Sequence, residues 1–170
     1  MFSPVILKNV CFPLSGENDN SDLPSVVAET MHECGAKIKA NGIRSELIVK
    51  GTLPIAPLDG RFGKMLKAVI DCSCALVAGV GKLKIETGTC RRGGCFCIEL
   101  DVISCCCDAL PIEEDRVFRP FIDVGGYRPG LSITVAQRVL RRQSGKIVFR
   151  KERANRGVFS VLIPVPDRAA

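Results

Sequence analysis

Apolar residues recur along this chain in two rhythms. Val26, Val27, Thr30, Met31, Cys34 and Ile38 return every three or four positions, which lays one stripe along a helix over residues 24–40. Ser21 or Asp22 suits its N-cap, Pro24 fits its first turn, and Asn41-Gly42 supplies a left-handed stop. Phe62, Leu66, Val69, Ile70, Ala75 and Leu76 mark a second helix over 61–78, closed by Gly79 and Gly81. A third runs over 131–143 and stops at Ser144-Gly145. Elsewhere the rhythm has a period of two. Residues 4–12, 45–50, 82–87, 95–103, 146–151 and 158–165 read as strands. Residues 88–94 make the turn of one long hairpin, and 113–118 hold a single helical turn. The order β, α, β, α, β, β, α, β, β fits a two-layer α/β (α+β) sandwich, with three helices on one face of a mixed, mostly antiparallel sheet. No internal repeat or composition break divides it, so residues 1–170 read as one domain, of which 1–21 are an N-terminal strand and loop.

Composition adds boundaries. With 170 residues and 46% hydrophobic content the chain can close a core. It has no Trp and one Tyr, so that core is aliphatic, with eight Phe for bulk. No apolar run approaches the roughly 18–20 residues that span a bilayer, and the start of the sequence lacks the pattern of a signal peptide. A cytoplasmic location without a membrane role is expected, and the ten cysteines are expected to be reduced thiols, several of them small hydrophobes inside apolar runs. The net charge of +6 is concentrated. Arg138, Arg141, Arg142, Lys146, Arg150, Lys151, Arg153 and Arg156 lie in one stretch whose only acid is Glu152. Such a stretch attracts acidic partners or phosphate, although it also suits a solvated helix face and a charge-protected strand edge. Without interleaved aromatics, nucleic acid is not the expected partner.

The second half carries a family outline. Arg116-Val117-Phe118-Arg119-Pro120-Phe121 resembles the Ile-Phe-x-Pro-Phe motif of sensor histidine kinases. Gly130-Leu131-Ser132-Ile133-Thr134-Val135-Ala136 resembles their Gly-Leu-Gly-Leu-Ala-Ile helix start. Ser144-Gly145-Lys146-Ile147 is similar to the following turn, and Gly157 to Pro164 to the final strand. With Asp22-Leu23, Gly42-Ile43, Leu53-Pro54 and Asp59 upstream, the resemblance covers residues 22–165. It implies the histidine-kinase ATPase (GHKL) fold, as also found in the catalytic-like domain of histidine phosphotransferases.

The resemblance also implies where nucleotide chemistry would sit, and there the sequence departs from the family. Anchoring the family's Asn-x-x-x-Asn-Ala on Ala75 puts Ile70 and Cys74 at the asparagines that hold magnesium and phosphate. An aliphatic chain and a thiol are not oxygen ligands for a hard cation. A shift of one residue offers Asp71, once only. Counting back from Phe118 puts Ser104, Cys106 and Asp108 at the family's Asp-x-Gly-x-Gly, whose aspartate receives the adenine amine. Arg128, Gly130 and Ser132 take the places of the glycines that open a helix N-terminus to phosphate. These nine positions form a degenerate nucleotide cleft, for which no cofactor is expected.

No catalytic residue and no metal ligand is assigned. His32, the only histidine, reads as a surface residue of the first helix rather than a phosphoacceptor. Cys95-x-Cys97 is too tightly spaced for the usual structural zinc pattern, and Cys105-Cys106-Cys107 cannot easily converge on one metal. Cys90, beside Arg91 and Arg92, is the thiol best placed for a lowered pKa. Asp71, Asp101 and Asp108 could gather near the cleft. The leading expectation is a degenerate kinase-like module of two-component signalling that binds a protein. A response-regulator receiver domain suits the patch formed by Arg138, Arg141, Arg142 and Arg150. The alternatives are a divergent kinase that uses ATP and magnesium to phosphorylate histidine or serine, and a thiol- or metal-sensing domain.

Overall fold

The computed structural model describes residues 5–7, 22–54, 58, 60–77, 80–105, 114, 116–119, 131–153 and 155–165. Among the described residues six strands and three helices follow in the expected order: β1 (Val5–Leu7), α1 (Leu23–Ala40), β2 (Arg44–Val49), α2 (Phe62–Leu76), β3 (Lys82–Arg92), β4 (Cys95–Cys105), α3 (Leu131–Arg142), β5 (Lys146–Glu152) and β6 (Arg156–Pro164). A 3-10 turn over Arg116–Phe118 precedes α3. The strands form one sheet in the order β1-β2-β3-β4-β6-β5. Among the described residues only β2 and β3 pair in parallel, and α2 makes the crossover between them. Of the expected first strand, Val5–Leu7 pairs antiparallel with β2.

Strand alternation divides the sheet's two faces. Leu47, Leu83, Ile85, Ile98, Leu100, Val102, Ile147, Phe149, Phe159, Val161 and Ile163 share one buried cluster with Val27, Ile38, Leu66, Val69, Ile70, Ile133 and Leu140 of the helices. The three helices therefore cover one face of the sheet. Burial of each such side chain contributes about 1.5–3 kcal/mol. The Phe159 ring anchors the α3 side, with Phe149 at 4.7 Å and Phe118 edge-on at 6.2 Å.

The helix ends follow the sequence closely. Asp22 is the N-cap of α1 by position, without a side-chain capping bond. At the other end Gly42 has φ +68°. Its amide donates to the Lys39 carbonyl and the Ile43 amide to the Ile38 carbonyl, closing a Schellman motif. Ser144, at φ 56°, takes the left-handed position after α3. Gly81 is required where α2 returns to β3, since a Cβ there would meet Val77 Cγ1 at 2.1 Å and the Cys105 carbonyl at 2.8 Å.

The hairpin differs from expectation. Gly88 suggests a strand end, yet it pairs with Glu99, and β3 continues to Arg92. The turn is only Gly93-Gly94, both at positive φ, a conformation that suits the twist of a tight hairpin. The pairing supplied by β4 outweighs the weak strand preference of a single glycine.

Candidate functional site: the helix layer and the end of β4

Helix α2 is the middle helix, and its phase decides which residues can meet a ligand. Ile70 is 0% exposed and Cys74 6%, and both belong to the core. The asparagine positions obtained by anchoring on Ala75 therefore point inward. Lys64, Lys67, Asp71 and Ala75 lie on the more accessible side of the helix. Asp71 already has a partner there: Lys37 Nζ of α1 donates to its carboxylate at 2.7 Å. Sequence spacing gives no signal for this pair, since its members are 34 residues apart.

The Asp71 carboxylate acts on a cluster of thiols. Burial raises the pKa of Cys34, and the charge of Asp71 adds to the rise. The same two causes push Cys72 up to about 12. Burial and Asp71 push Cys74 up to about 11, with Cys34 contributing. These thiols are protonated at neutral pH, and protonated thiols are poor nucleophiles and poor metal ligands.

Ser104 stands near the end of β4, fully buried on the helix side of the sheet. Its hydroxyl donates to the Ser73 carbonyl of α2 at 2.9 Å. The hydroxyl thus ties strand to helix at the position where the resemblance implies an adenine-binding carboxylate. Ser73, as the acceptor, carries no sequence signal, because the contact uses its main chain. Cys106, Asp108, Arg128 and Gly130 lie outside the described residues. Ser132 is placed in the first turn of α3 by its backbone.

The other acids and bases separate. Asp101 accepts a hydrogen bond from Ser160 Oγ. Both stand on the face away from the helices, as does Glu86, the cross-strand partner of Asp101. Asp101 therefore does not join Asp71, contrary to the expected gathering of aspartates. Arg138, Arg141 and Arg142 are exposed along α3. Arg150 alternates with the core residues Ile147 and Phe149 and so faces the opposite side of the sheet. The basic patch is thus two surfaces. Val135, 50% exposed, lies one turn before Arg138 on α3. His32 is exposed on α1.

The expectation for Cys90 is corrected. Burial raises its pKa, the charge of Glu99 adds to the rise, and its hydrogen bond with Arg92 only partly offsets them. The Arg92 guanidinium is shared with Glu99, at 3.3 Å. Among the described residues no group of three or more His, Cys, Asp or Glu side chains is arranged to hold a metal. Nor is any described helix long and apolar enough to cross a membrane.

Compared by sequence, the chain matches no family model and no curated protein. Compared by structure, it is similar to histidine kinases. The Acinetobacter baumannii histidine kinase AdeS superposes with a TM-score of 0.67 at 20% identity, over 91% of this chain and 70% of that one. The catalytic domain of the histidine kinase ThkA gives 0.69 at 19% identity, over 85% of this chain and 93% of that domain. ThkA in complex with the response regulator protein TrrA gives 0.69 at 19% identity, over 88% of this chain and 42% of that one. The fold is that of the histidine-kinase catalytic (ATPase) domain.

Proposed function

We propose that this chain is a histidine-kinase-like module of two-component signalling that docks a protein partner and has given up ordinary Mg-ATP binding. The observation that carries the reading is the state of α2. Anchored on Ala75, the family's asparagine positions fall on Ile70 and Cys74, both buried; one residue along, the accessible side of α2 presents Lys67, Asp71 and Ala75, of which the one carboxylate, Asp71, is engaged by Lys37. A magnesium ion would need several oxygen ligands, and α2 offers one that is already paired. Ser104, bonded to the Ser73 carbonyl, is a neutral hydroxyl where an adenine amine would meet a carboxylate.

Docking is supported by α3. Three exposed arginines with a half-exposed valine one turn earlier offer charge and apolar contact together. A response-regulator receiver domain is the proposed partner, in keeping with the complex known for ThkA.

Isothermal titration of the reduced protein with ATP, ADP and a non-hydrolysable analogue, with and without magnesium, tests the reading. No heat and no thermal stabilisation at millimolar nucleotide are expected, because a ligand that binds only the folded state must stabilise it. Micromolar, magnesium-dependent binding would overturn the proposal in favour of a divergent ATP-dependent kinase. The variants Asp71→Ala and Asp108→Ala would then identify the replacement ligand.

A further inference from the structure

Beyond Thr87 the β3–β4 hairpin outruns β2, whose last rung is Val49 with Thr87. On the other side, β6 pairs with β4 as far as Pro164 with Cys97, and the Val165 amide donates to the Phe96 carbonyl at 2.9 Å. Residues past these rungs form a two-stranded ribbon that extends from the sheet. At its base Cys90 and Cys97 are direct cross-strand partners, so their side chains share the face away from the helices. Cys90 is partly exposed and Cys97 buried. The Cys97 thiol donates weakly to the Cys95 carbonyl at 3.8 Å.

We propose that Cys90 and Cys97 form a reversible cross-strand disulfide, which makes the base of this ribbon a site of thiol–disulfide exchange with small-molecule disulfides. The turn geometry supports the pairing. A two-residue turn makes Arg92 and Cys95 the closing hydrogen-bonded pair, and pair types alternate along the ladder. Cys90 and Cys97 are then again a hydrogen-bonded pair, with Cα atoms about 5.5 Å apart. That lies inside the range of about 4.4–6.8 Å that disulfides span. Facing Cβ atoms in a sheet stand about 4.5–5.5 Å apart, whereas a disulfide draws them to about 3.5–4.5 Å. The bond therefore forms at the cost of some local strain, which favours a readily reduced linkage over a permanent one.

The chemistry balances in two exchanges. Because burial raises its pKa, Cys90 reacts through the small fraction present as thiolate, its proton lost to solvent, which attacks one sulfur of a disulfide such as oxidised glutathione. A mixed disulfide forms and one small thiolate leaves and takes up a proton. The Cys97 thiolate then attacks the Cys90 sulfur and expels the second small thiolate, which takes up the proton that Cys97 lost. Two protein thiols are oxidised and one small disulfide is reduced to two thiols. The linkage would staple the ribbon where it leaves the sheet. The inference does not depend on whether the helix layer binds nucleotide.

The test uses the full chain, equilibrated in mixtures of reduced and oxidised glutathione, quenched with an alkylating agent, digested and sequenced by mass spectrometry. The expected result is a peptide pair linked through Cys90 and Cys97 that disappears on return to reduced glutathione. Cys90→Ser should lose the linked pair and Cys95→Ser should keep it. Should Cys97→Ser not fold, fragmentation of the wild-type linked peptide still assigns the partner sulfur. Absence of the link in excess oxidised glutathione would overturn the proposal. So would a Cys90 that stops at the glutathione adduct or links to any cysteine other than Cys97.

Discussion

Glu86 and Asp101 oppose each other across β3 and β4, yet their carboxyls shift in opposite directions. Burial raises Asp101, the repulsion of Glu99 and Glu86 adds to it, and the bond from Ser160 and the charge of Arg150 only partly compensate. Burial also works to raise Glu86, but bonds from Lys50 and Lys84 outweigh it and bring the group below its ordinary value. The linkage signs follow. Asp101, raised in the folded state, stabilises the fold while protonated, and that contribution is lost as pH rises through its folded pKa. Glu86, depressed when folded, contributes stability above its unfolded pKa and loses it as pH falls through the folded one. Urea unfolding between pH 3 and 7, a window of about four units around the carboxylate range, should separate them. Asp101→Asn should gain stability relative to wild type as pH rises toward neutrality. Glu86→Gln should lose it over the same range. Parallel pH profiles for both variants would contradict these assignments.

At the scale of elements, the phase of α2 turns a sequence comparison into a measurable cost. Returning Ile70 to the family's residue with Ile70→Asn would put an amide at a fully buried core position. Removing the side chain and leaving a polar group without a partner should together cost about 3–5 kcal/mol. Ser104→Asp would exchange the hydroxyl that serves the Ser73 carbonyl for a buried carboxylate and should cost about 3 kcal/mol or more. Asp71→Asn weakens an ion pair whose lysine is half exposed and should cost less than about 1 kcal/mol. Chemical denaturation ranks the three. A stable Ile70→Asn protein would mean that α2 can rotate its asparagine positions outward, and the proposed loss of nucleotide binding would lose its main support. The sequence disclosed the stripe of α2 but not its phase relative to the family motif. Anchoring on Ala75 chose a register one residue away from the accessible side, and only packing against α1 and α3 distinguishes the two.

For the molecule as a whole, local signals carried the fold. Asn41-Gly42 is the Schellman stop, and the alternation of β3, β4 and β6 assigns one face of each to the helices. What remained illegible is what depends on which face a strand shows. Asp101 and Arg150 are near the helix layer along the chain, yet stand on the far side of the sheet. This split makes a specific prediction for docking. A partner drawn to the arginines of α3 meets Arg138, Arg141 and Arg142 but not Arg150. Charge reversal at Arg138 with Arg141 should slow association with an acidic receiver domain by roughly tenfold or more at low salt. The wild-type rate should fall toward that of the variant as ionic strength shortens the reach of the field to about 8 Å. Arg150→Glu should change the rate little, because Arg150 stands on the opposite face of the sheet from α3. Stopped-flow association across a salt series reads all three. If Arg150→Glu slows binding as much as the α3 reversal, the docking surface includes the sheet edge, and the partner must reach around β5 to both faces.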